Sequence, residues 1–280
     1  MKRILSIAAA AIVLVGCGSA KKAATTSSKM VFPNVDQNGK TAIVAHRGYW
    51  NCEAAGYSEN SIASLREAQR LGFWGSECDI HITADDKVIV NHDGTINGKR
   101  IQQSKFEDLA KELLPNGERR PSLDEYLTQA EKSTKTKLVI EFKKMLTPER
   151  EDLLIEKTLA ALKAHKLYSP KRVAFISFSH HVCQVLAKKC PEFTNQYLNG
   201  ELSPEQLAAE GINGIDYQFN VIGAHPGWVK DCKDRGMSSN VWTVNKENMM
   251  DKMIGLQIGA ITTNFPEKVR EKLGAKEFKN

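Results

Sequence analysis

The sequence lacks the features that mark several large classes of protein. No extended run of lysine and arginine occurs, and a formal charge of +6 is too small to indicate nucleic-acid binding. The six cysteines form no CxxC motif, and their spacing names no disulfide pair. The apolar run near the N-terminus is too short for a permanent membrane-spanning helix. These absences argue against a nucleic-acid partner, and no obligate protein partner is evident.

The N-terminus carries the pattern of a bacterial lipoprotein signal. A basic start, MKR, precedes the apolar run ILSIAAAAIVLV, and Leu14-Val15-Gly16-Cys17 resembles the lipoprotein box. This pattern predicts a signal peptide over 1–16, acylation of the Cys17 thiol, and a flexible tether over 17–39. An ordinary signal peptide is the alternative. We therefore expect a protein of the bacterial cell envelope, periplasmic or surface-exposed, that a lipid anchor holds at a membrane.

Short apolar, β-rich runs alternate with helical patterns over residues 40–280, which we expect to form a single domain. Eight predicted strands with helices between them indicate a (β/α)8 TIM barrel of the α/β class. An open doubly wound sheet is the alternative, but HRGYWN after the first strand is not a glycine-rich nucleotide loop. The stretch Asp93–Gln129 breaks the alternation and predicts a short insertion after strand 2. The predicted strands are 42–46, 75–82, 138–142, 173–178, 194–198, 214–218, 240–244 and 260–264.

Polar residues gather at the carboxyl ends of these strands, where a barrel builds its active site. Glu77 and Asp79 share one face of strand 2, because side chains two residues apart on a strand point the same way. Glu141 and Lys143 share a face of strand 3, and the apolar neighbours of Glu141 predict its burial. A buried carboxylate needs a partner cation or hydrogen bonds. The residues predicted at this rim are His46, Arg47, Glu77, Asp79, Glu141, Lys143, Trp242, Asn245 and Asn264.

Three carboxylates at one rim predict a divalent cation. Glu77, Asp79 and Glu141 offer only oxygen ligands, which suit Mg²⁺ or Ca²⁺ better than Zn²⁺. The alternative is a structural network in which Arg47 and Lys143 neutralise the acids. A metal ion beside arginine and lysine would form a positive pocket for an anion, most naturally a phosphate.

Two histidines lie in the same segments as these charged residues. Phosphodiester cleavage needs a base that takes a proton from the nucleophile and an acid that protonates the leaving oxygen. Two imidazoles can do both near neutral pH. His46 and His92 are therefore the candidate catalytic pair, and a purely structural role is the alternative. The sequence does not assign which histidine is the acid.

Taken together, these motifs resemble the glycerophosphodiester phosphodiesterase family over nearly the whole domain. The resemblance implies a metal-dependent TIM barrel that hydrolyses glycerophosphodiesters to an alcohol and sn-glycerol 3-phosphate. The elements that match in order are His46-Arg47-Gly48, Glu59-Asn60, Glu77-x-Asp79, Thr83, Asp85 and Val88 before His92-Asp93, Glu141-x-Lys143, and Trp242-Thr243-Val244-Asn245.

The resemblance also implies a role for each matching residue. It makes His46 and His92 the acid/base pair, and it makes Arg47 and Lys143 the residues that hold the phosphate. The implied ligands of the single Mg²⁺ or Ca²⁺ ion are Glu77, Asp79 and Glu141. Rim or supporting positions fall to Glu59, Asn60, Trp242 and Asn245.

Some features of the rim limit how far the resemblance extends. Glu59 as a cap for the helix that starts near Ser61 is an alternative to a site role. The loop 49–58 is longer than the family usually has, and Asn264 stands where the family often has aspartate. These departures surround the pocket, so they leave the head group of the substrate open.

Three other functions compete with this interpretation. A phospholipase on the same scaffold would act on intact or lyso-phospholipid, and it predicts an exposed apolar loop. A non-catalytic surface lipoprotein that binds anions predicts a broken catalytic set, but both histidines and all three acids are present. A barrel glycosidase could use paired carboxylates, but it has no need for two histidines, an arginine and a lysine around them.

Overall fold

Parallel strands close into a barrel in the computed structural model, which describes residues 40–274. In chain order the strands are β1 Ala42–Ala45, β2 Gly75–Ile82, β3 Val88–Val90, β4 Thr95–Ile96, β5 Lys99–Arg100, β6 Lys137–Phe142, β7 Val173–Ser177, β8 Thr194–Tyr197, β9 Gly214–Gln218, β10 Ser238–Trp242 and β11 Ala260–Thr263. Within these residues β1, β2 and β6 to β11 form one parallel ring, which closes because β1 pairs with both β2 and β11. The predicted TIM barrel is confirmed, with every barrel strand within two residues of its predicted bounds.

Helices surround the ring and return the chain from each strand to the next. They are α1 Ile62–Arg70, α2 Phe106–Ala110, α3 Leu123–Ala130, α4 Pro148–Ala164, α5 His180–Lys189, α6 Pro204–Ala209, α7 Phe219–Ala224, α8 Gly227–Arg235, α9 Glu247–Gly255 and α10 Pro266–Lys272. Local signals fix where they begin. The side chain of Ser61 accepts from the backbone N–H of Ser64 at the start of α1, and Thr147 accepts from Arg150 at the start of α4.

Strand periodicity divides the side chains between the barrel interior and the layer under the helices. On β6, Val139 packs inside the barrel against Val44 and Ala174, whereas Ile140 packs outside among the residues that face the helices. Glu141 lies two residues after Val139 and therefore shares the inner face, nearer the carboxyl end. The interior thus has an apolar base, and charged side chains occupy the end where the site lies.

The predicted insertion follows β2 and has a small core of its own. β3 pairs antiparallel with β2, β4 pairs with β5, and α2 follows. One carboxylate of the insertion ties it to the barrel, because Glu118 Oε2 accepts from the backbone N–H groups of Ile62 and Ala63 at the start of α1. The insertion core is formed by Ile89, Ile96, Ile101 and Leu109.

The predicted lipoprotein segment lies outside the described residues. The signal peptide 1–16, Cys17 and the tether 17–39 therefore remain sequence predictions. Within residues 40–274 no helix is both long and apolar enough to cross a membrane. The cysteines of this part of the chain are all unpaired, and they are Cys52, Cys78, Cys183, Cys190 and Cys232.

Candidate active site

The three carboxylates predicted to bind a metal converge at the carboxyl ends of β2 and β6. Parallel pairing places Asp79 opposite Glu141, and Glu77 lies two residues earlier on the same face of β2. All three side chains are buried, and one oxygen from each lies within 4.8 Å of the others. Oxygens at this spacing can share one ion, because Mg²⁺ and Ca²⁺ bind oxygen at about 2.0–2.6 Å.

Two cationic side chains contact this acidic cluster. Lys143 Nζ lies 2.7 Å from Asp79 Oδ1 and 2.6 Å from Glu141 Oε1, so it bridges the two strands. Arg47 Nη1 lies 2.6 Å from Glu59 Oε2, and its Nε lies 3.8 Å from Asp79 Oδ2. The two predicted phosphate-binding residues are therefore already held against carboxylates.

Glu77 is the carboxylate that these cations leave incompletely paired. Its Oε2 accepts from the backbone N–H of Arg47 at 2.7 Å, but its Oε1 is buried without a hydrogen-bond partner in residues 40–274. Glu77 thereby joins Asp79, Glu141 and Glu59 in a group of four acids around the two cations in this part of the chain, but Glu59 is 41% exposed whereas the other three acids are buried. Uncompensated negative charge among the three buried acids is costly unless a further cation offsets it.

The pKa values of the three buried carboxyl groups reflect the same excess of negative charge. Burial, and then the charges of Asp79 and Glu141, raise the pKa of Glu77 well above its usual value. Burial and Asp79 also raise the pKa of Glu141. Burial opposes ionisation of Asp79 as well, but the Lys143 ammonium outweighs it and lowers the pKa of Asp79. Full ionisation of all three acids therefore requires another positive charge nearby.

A tight turn after β1 places the HRG motif against β2. Arg47 and Gly48 both have positive φ, at 55° and 78°. A Cβ on Gly48 would lie 2.2 Å from Ser64 Oγ, so this position requires glycine for space as well as for conformation. The backbone N–H of Gly48 donates to the Glu77 carbonyl at 2.9 Å. The turn thus fixes Arg47 beside the acidic cluster.

His46 lies at the end of β1 and is oriented by two asparagines. Its Nδ1 lies 2.7 Å from Asn264 Oδ1, and Asn245 Oδ1 accepts from the backbone N–H of Asn264 at 2.9 Å. Because an amide oxygen only accepts, Nδ1 carries the proton, and Nε2 of the neutral ring is free to accept one. Burial, and then Arg47, lower the pKa of His46 to about 4, so the ring is neutral near pH 7.

His92 follows β3 and lies at the edge of a cavity. Its Nδ1 lies 2.8 Å from Asp93 Oδ1, and its side chain is 34% exposed. The backbone carbonyl of His92 accepts from His81 Nε2 at 3.2 Å, which fixes the segment against β2. A positive charge on His92 helps lower the pKa of His46. His46 and His92 therefore lie close enough for their charges to interact.

Comparison with known families identifies the class of this barrel. The model of the glycerophosphoryl diester phosphodiesterase family matches residues 46–268, a span that contains both histidines and the acidic cluster. The chain belongs to this family. It is therefore a phosphoric diester hydrolase, and the alternative of a non-catalytic anion-binding protein is wrong.

Individual members of the family are similar to this chain over most of their own lengths. A glycerophosphodiester phosphodiesterase from Caldanaerobacter subterraneus is 29% identical over 81% of this chain and 96% of its own. The crystal structure of one from Parabacteroides distasonis is 42% identical, covers 84% of this chain and 98% of that one, and has a TM-score of 0.81. A phosphodiesterase from Oleispira antarctica, solved with its product sn-glycerol-3-phosphate, is 20% identical over 85% of this chain and 98% of its own, with a TM-score of 0.71.

Two of the predicted supporting residues contact the acidic cluster of this phosphodiesterase. Glu59 pairs with Arg47, whereas Ser61 caps α1, so the helix-cap alternative for Glu59 is wrong. Asn60 donates from Nδ2 to Asp79 Oδ2 at 2.8 Å and accepts from the backbone N–H of Asp79 at 3.1 Å. Asn60 thereby fixes the rotamer of one candidate metal ligand.

The other two supporting residues act on neighbouring strands. Trp242 Nε1 donates to the backbone carbonyl of Asp216 at 2.9 Å, and the indole meets the Phe178 ring edge-on. Asn245 accepts a hydrogen bond from the backbone N–H of Asn264, and Asn264 in turn contacts His46, so Asn245 acts on His46 indirectly. Trp242 therefore braces the barrel mouth, whereas Asn245 helps to position a catalytic candidate.

Two features of the site are absent from the sequence prediction. Asp216 on β9 is buried, its Oδ2 accepts from Asn240 at 3.0 Å, and burial followed by Glu141 raises its pKa well above the usual value. The signal for it was an acid inside the apolar run GIDYQ, the same signal that identified Glu141. The contact between Asn264 and His46 has no sequence signal, because the two residues are 218 positions apart.

We expect Asn264→Ala to lower kcat by about 10- to 100-fold with a smaller change in KM, because a misplaced catalytic group costs rate. Steady-state kinetics on a glycerophosphodiester would measure this. Asn264→Asp is the matched control: it restores an acceptor for Nδ1, and its charge should raise the pKa of His46 and move the acid limb of the pH–rate profile upward. An alanine variant with unchanged kcat would contradict the positioning role.

Proposed function

We propose that this phosphodiesterase hydrolyses glycerophosphodiesters to an alcohol and sn-glycerol 3-phosphate, with a divalent cation and a pair of histidines. The observation that carries the proposal is the cluster of three buried acids, Glu77, Asp79 and Glu141, whose oxygens lie close enough to share an ion. Lys143 and Arg47 contact this cluster. The Oleispira antarctica protein of the same fold binds sn-glycerol-3-phosphate, which agrees with the proposed product.

Mg²⁺ or Ca²⁺ fits the donor set of the cluster. The ligand atoms are all carboxylate oxygens, and Glu77 Oε1 has no other partner among the described residues. When bound, the ion supplies two positive charges that stabilise the negative charge developing on the phosphoryl oxygens. Asn60 holds Asp79 for this role, and the turn at Gly48 holds Glu77.

Arg47 and Lys143 are the proposed phosphate ligands. Arg47 Nε is buried without a hydrogen-bond partner in the described part of the chain, so it is a donor ready for an oxyanion. Lys143 has its pKa raised, because the attraction of Asp79 and Glu141 outweighs burial, and it stays charged. When a bound ion neutralises the acids, Arg47 and Lys143 are free to direct some of their N–H donors to the phosphate of the substrate.

His46 is the proposed base, and His92 the proposed acid. His46 is neutral near pH 7 and presents an unprotonated Nε2, as a base requires. It takes a proton from water or from a neighbouring hydroxyl of the substrate. The Asp93 carboxylate lies 2.8 Å from Nδ1 of His92 and orients the ring. His92 gives a proton to the departing alcohol oxygen.

A second candidate activity has one observation in its favour. The exposed large hydrophobic residues of the described chain all lie in loops at the mouth of the barrel, as expected for contact with lipid. Hydrolysis of lysophospholipid at a rate similar to that of glycerophosphodiester would support a phospholipase, and hydrolysis of the deacylated diester alone would exclude it. These residues are Tyr57, Leu113, Leu146 and Phe178.

Anchoring at the cell envelope forms a further part of the proposal. The sequence Leu14-Val15-Gly16-Cys17 supports lipid attachment at Cys17, with the tether 17–39 between membrane and barrel. A lipid anchor would keep the enzyme near the phospholipids whose deacylation yields its substrates. Cys17→Ser should move the protein from the membrane fraction to the soluble fraction of cells.

We expect Glu77→Gln to raise the Tm of the metal-free protein by about 3 °C or more at pH 7.5, because it replaces a buried carboxyl group that is costly to ionise with a neutral amide. Since the pKa of Glu77 is raised in the folded state, the folded protein binds more protons than the unfolded chain above pH 4.5. Metal-free wild type should therefore lose stability as pH rises, and Glu77→Gln should lose less.

Added Mg²⁺ or Ca²⁺ provides the other half of this test. Either ion should raise the Tm of the wild type, raise that of Glu77→Gln far less, and restore activity abolished by EDTA. Thermal melts and rates with and without chelator measure both effects. If neither the Tm nor the rate of the wild type changes with chelator or with added metal, the metal site is refuted.

We expect His46→Ala and His92→Ala each to lower kcat by at least about 100-fold, as is typical for general acid–base groups. His165→Ala is the matched control, because its imidazole pairs with Glu131 and Asp124 away from the barrel mouth. Rates of glycerol 3-phosphate release, measured at saturating metal, test the prediction. Near-normal turnover in either catalytic variant would remove that residue from the mechanism.

A further inference from the structure

The insertion holds the loop that follows β1 at two places, and Asn60 lies between them. Before Asn60, the backbone N–H of Asn116 donates to Ser58 Oγ at 2.8 Å. After it, Glu118 Oε2 accepts from the backbone N–H of Ile62 at 2.9 Å. The short segment that carries Asn60 is therefore fixed on both sides by residues from outside the barrel.

The contact with Glu118 completes the capping of α1. The first turn of a helix leaves backbone N–H groups without partners inside the helix. Ser61 Oγ accepts from the N–H of Ser64, the third residue of α1. Glu118 accepts from the N–H groups of the first two, Ile62 and Ala63. A carboxylate at this end also faces the positive end of the helix dipole, so Glu118 stabilises the point at which the loop passes into α1.

The same part of the insertion packs closely on the loop. A Cβ on Gly56 would lie 2.6 Å from Asn116 Cβ, and Gly56 has a positive φ of 58°, so this contact requires glycine. Asn116 Nδ2 donates to the carbonyl of Ala55 at 3.2 Å, and its Oδ1 accepts from the backbone N–H of Glu118 at 3.1 Å. Asn116 thus joins the loop and Glu118 in one hydrogen-bond network.

Asn60 connects this network to the acidic cluster. Its side chain bonds to both the carboxylate and the backbone N–H of Asp79, and its own backbone N–H donates to the carbonyl of Arg47 at 2.9 Å. Asn60 has a positive φ of 56°, which is uncommon outside glycine. A residue keeps such a conformation where its surroundings impose it, and the contacts with the insertion are part of those surroundings.

We propose that Glu118 and Asn116 are positioning residues for the metal site, because they hold the loop that places Asn60 on Asp79. The inference rests on the proposed function, in which Asp79 is a metal ligand. Without these contacts the loop has more conformations open to it, and Asn60 holds the carboxylate of Asp79 for less of the time. A ligand that is less well oriented binds its ion less tightly.

Calorimetric titration of Mn²⁺ into the metal-free protein measures this effect. Glu118→Ala should weaken Mn²⁺ binding by about three- to tenfold, as the loss of a helix cap predicts. Asn60→Ala removes the direct partner of a ligand and should weaken it by about 10- to 100-fold. Glu118→Gln keeps one acceptor oxygen and should recover most of the affinity. Glu107→Ala is the matched control, because Glu107 lies in the same insertion but pairs with Arg119 at the surface.

A double-mutant cycle distinguishes positioning from a general loss of stability. If Glu118 acts through Asn60, Glu118→Ala should weaken Mn²⁺ binding little further in a chain that already carries Asn60→Ala. Additive effects of the two substitutions, or an unchanged affinity in Glu118→Ala, would overturn the proposal. Asn116→Ala takes the place of Glu118→Ala in the same cycle if the latter does not fold, and the same results decide.

Amide hydrogen exchange of the metal-free protein, measured by NMR, separates this proposal from the proposed function. The backbone N–H of Asp79 donates to Asn60 Oδ1. Relative to the amides of β9 across the barrel, it should exchange at least about threefold faster in Glu118→Ala and at the wild-type rate in Glu107→Ala.

This exchange result supports the positioning role even if the wild type binds no Mn²⁺, and the failure to bind would then count against the metal site alone. An unchanged exchange rate of the Asp79 amide in Glu118→Ala would overturn the positioning role, and Mn²⁺ binding by the wild type would leave the metal site standing.

Discussion

An excess of negative charge in a buried place is the constraint on which the rest of this site depends. β2 and β6 pair in a register that puts Asp79 opposite Glu141, and the alternation of side chains brings Glu77 to the same face. Lys143 and Arg47 neutralise only part of the charge. A barrel interior that carries this imbalance is built for an additional cation, and its neighbours are arranged accordingly.

The residues around the cluster serve geometry more than charge. Gly48 allows the turn that presents Arg47, because neither its φ nor the space beside Ser64 admits a side chain. Asn60 fixes Asp79, while Asn245 and Asn264 fix His46. Neutral amides can orient a carboxylate or an imidazole without adding charge to a cluster whose charge is already the limiting feature.

Much of this arrangement could be predicted from the sequence, for identifiable physical reasons. Strand alternation and the rule that barrel sites form at the carboxyl ends of strands suffice to bring Glu77, Asp79 and Glu141 together. Local pattern cannot assign partners across the barrel, so the bond between His46 and Asn264 and the bridging position of Lys143 emerge only from the fold. Glu59 had two local interpretations, and its ion pair with Arg47, together with Ser61 as the cap of α1, decides between them. Asp216 is an acid within an apolar run, so its burial could have been predicted from the sequence. No second motif residue lies beside it in the sequence to indicate a role in the site.

The most direct test of this account is a crystal structure of the protein soaked with Mn²⁺, located by its anomalous scattering, since Mn²⁺ accepts the same oxygen ligands as Mg²⁺. The account predicts one ion bound by oxygens of Glu77, Asp79 and Glu141. It also predicts that the Lys143 ammonium lies farther from Asp79 and Glu141 than it does without the ion. An empty cluster with Lys143 still bridging Asp79 and Glu141, in crystals that hold Mn²⁺ elsewhere, would contradict it.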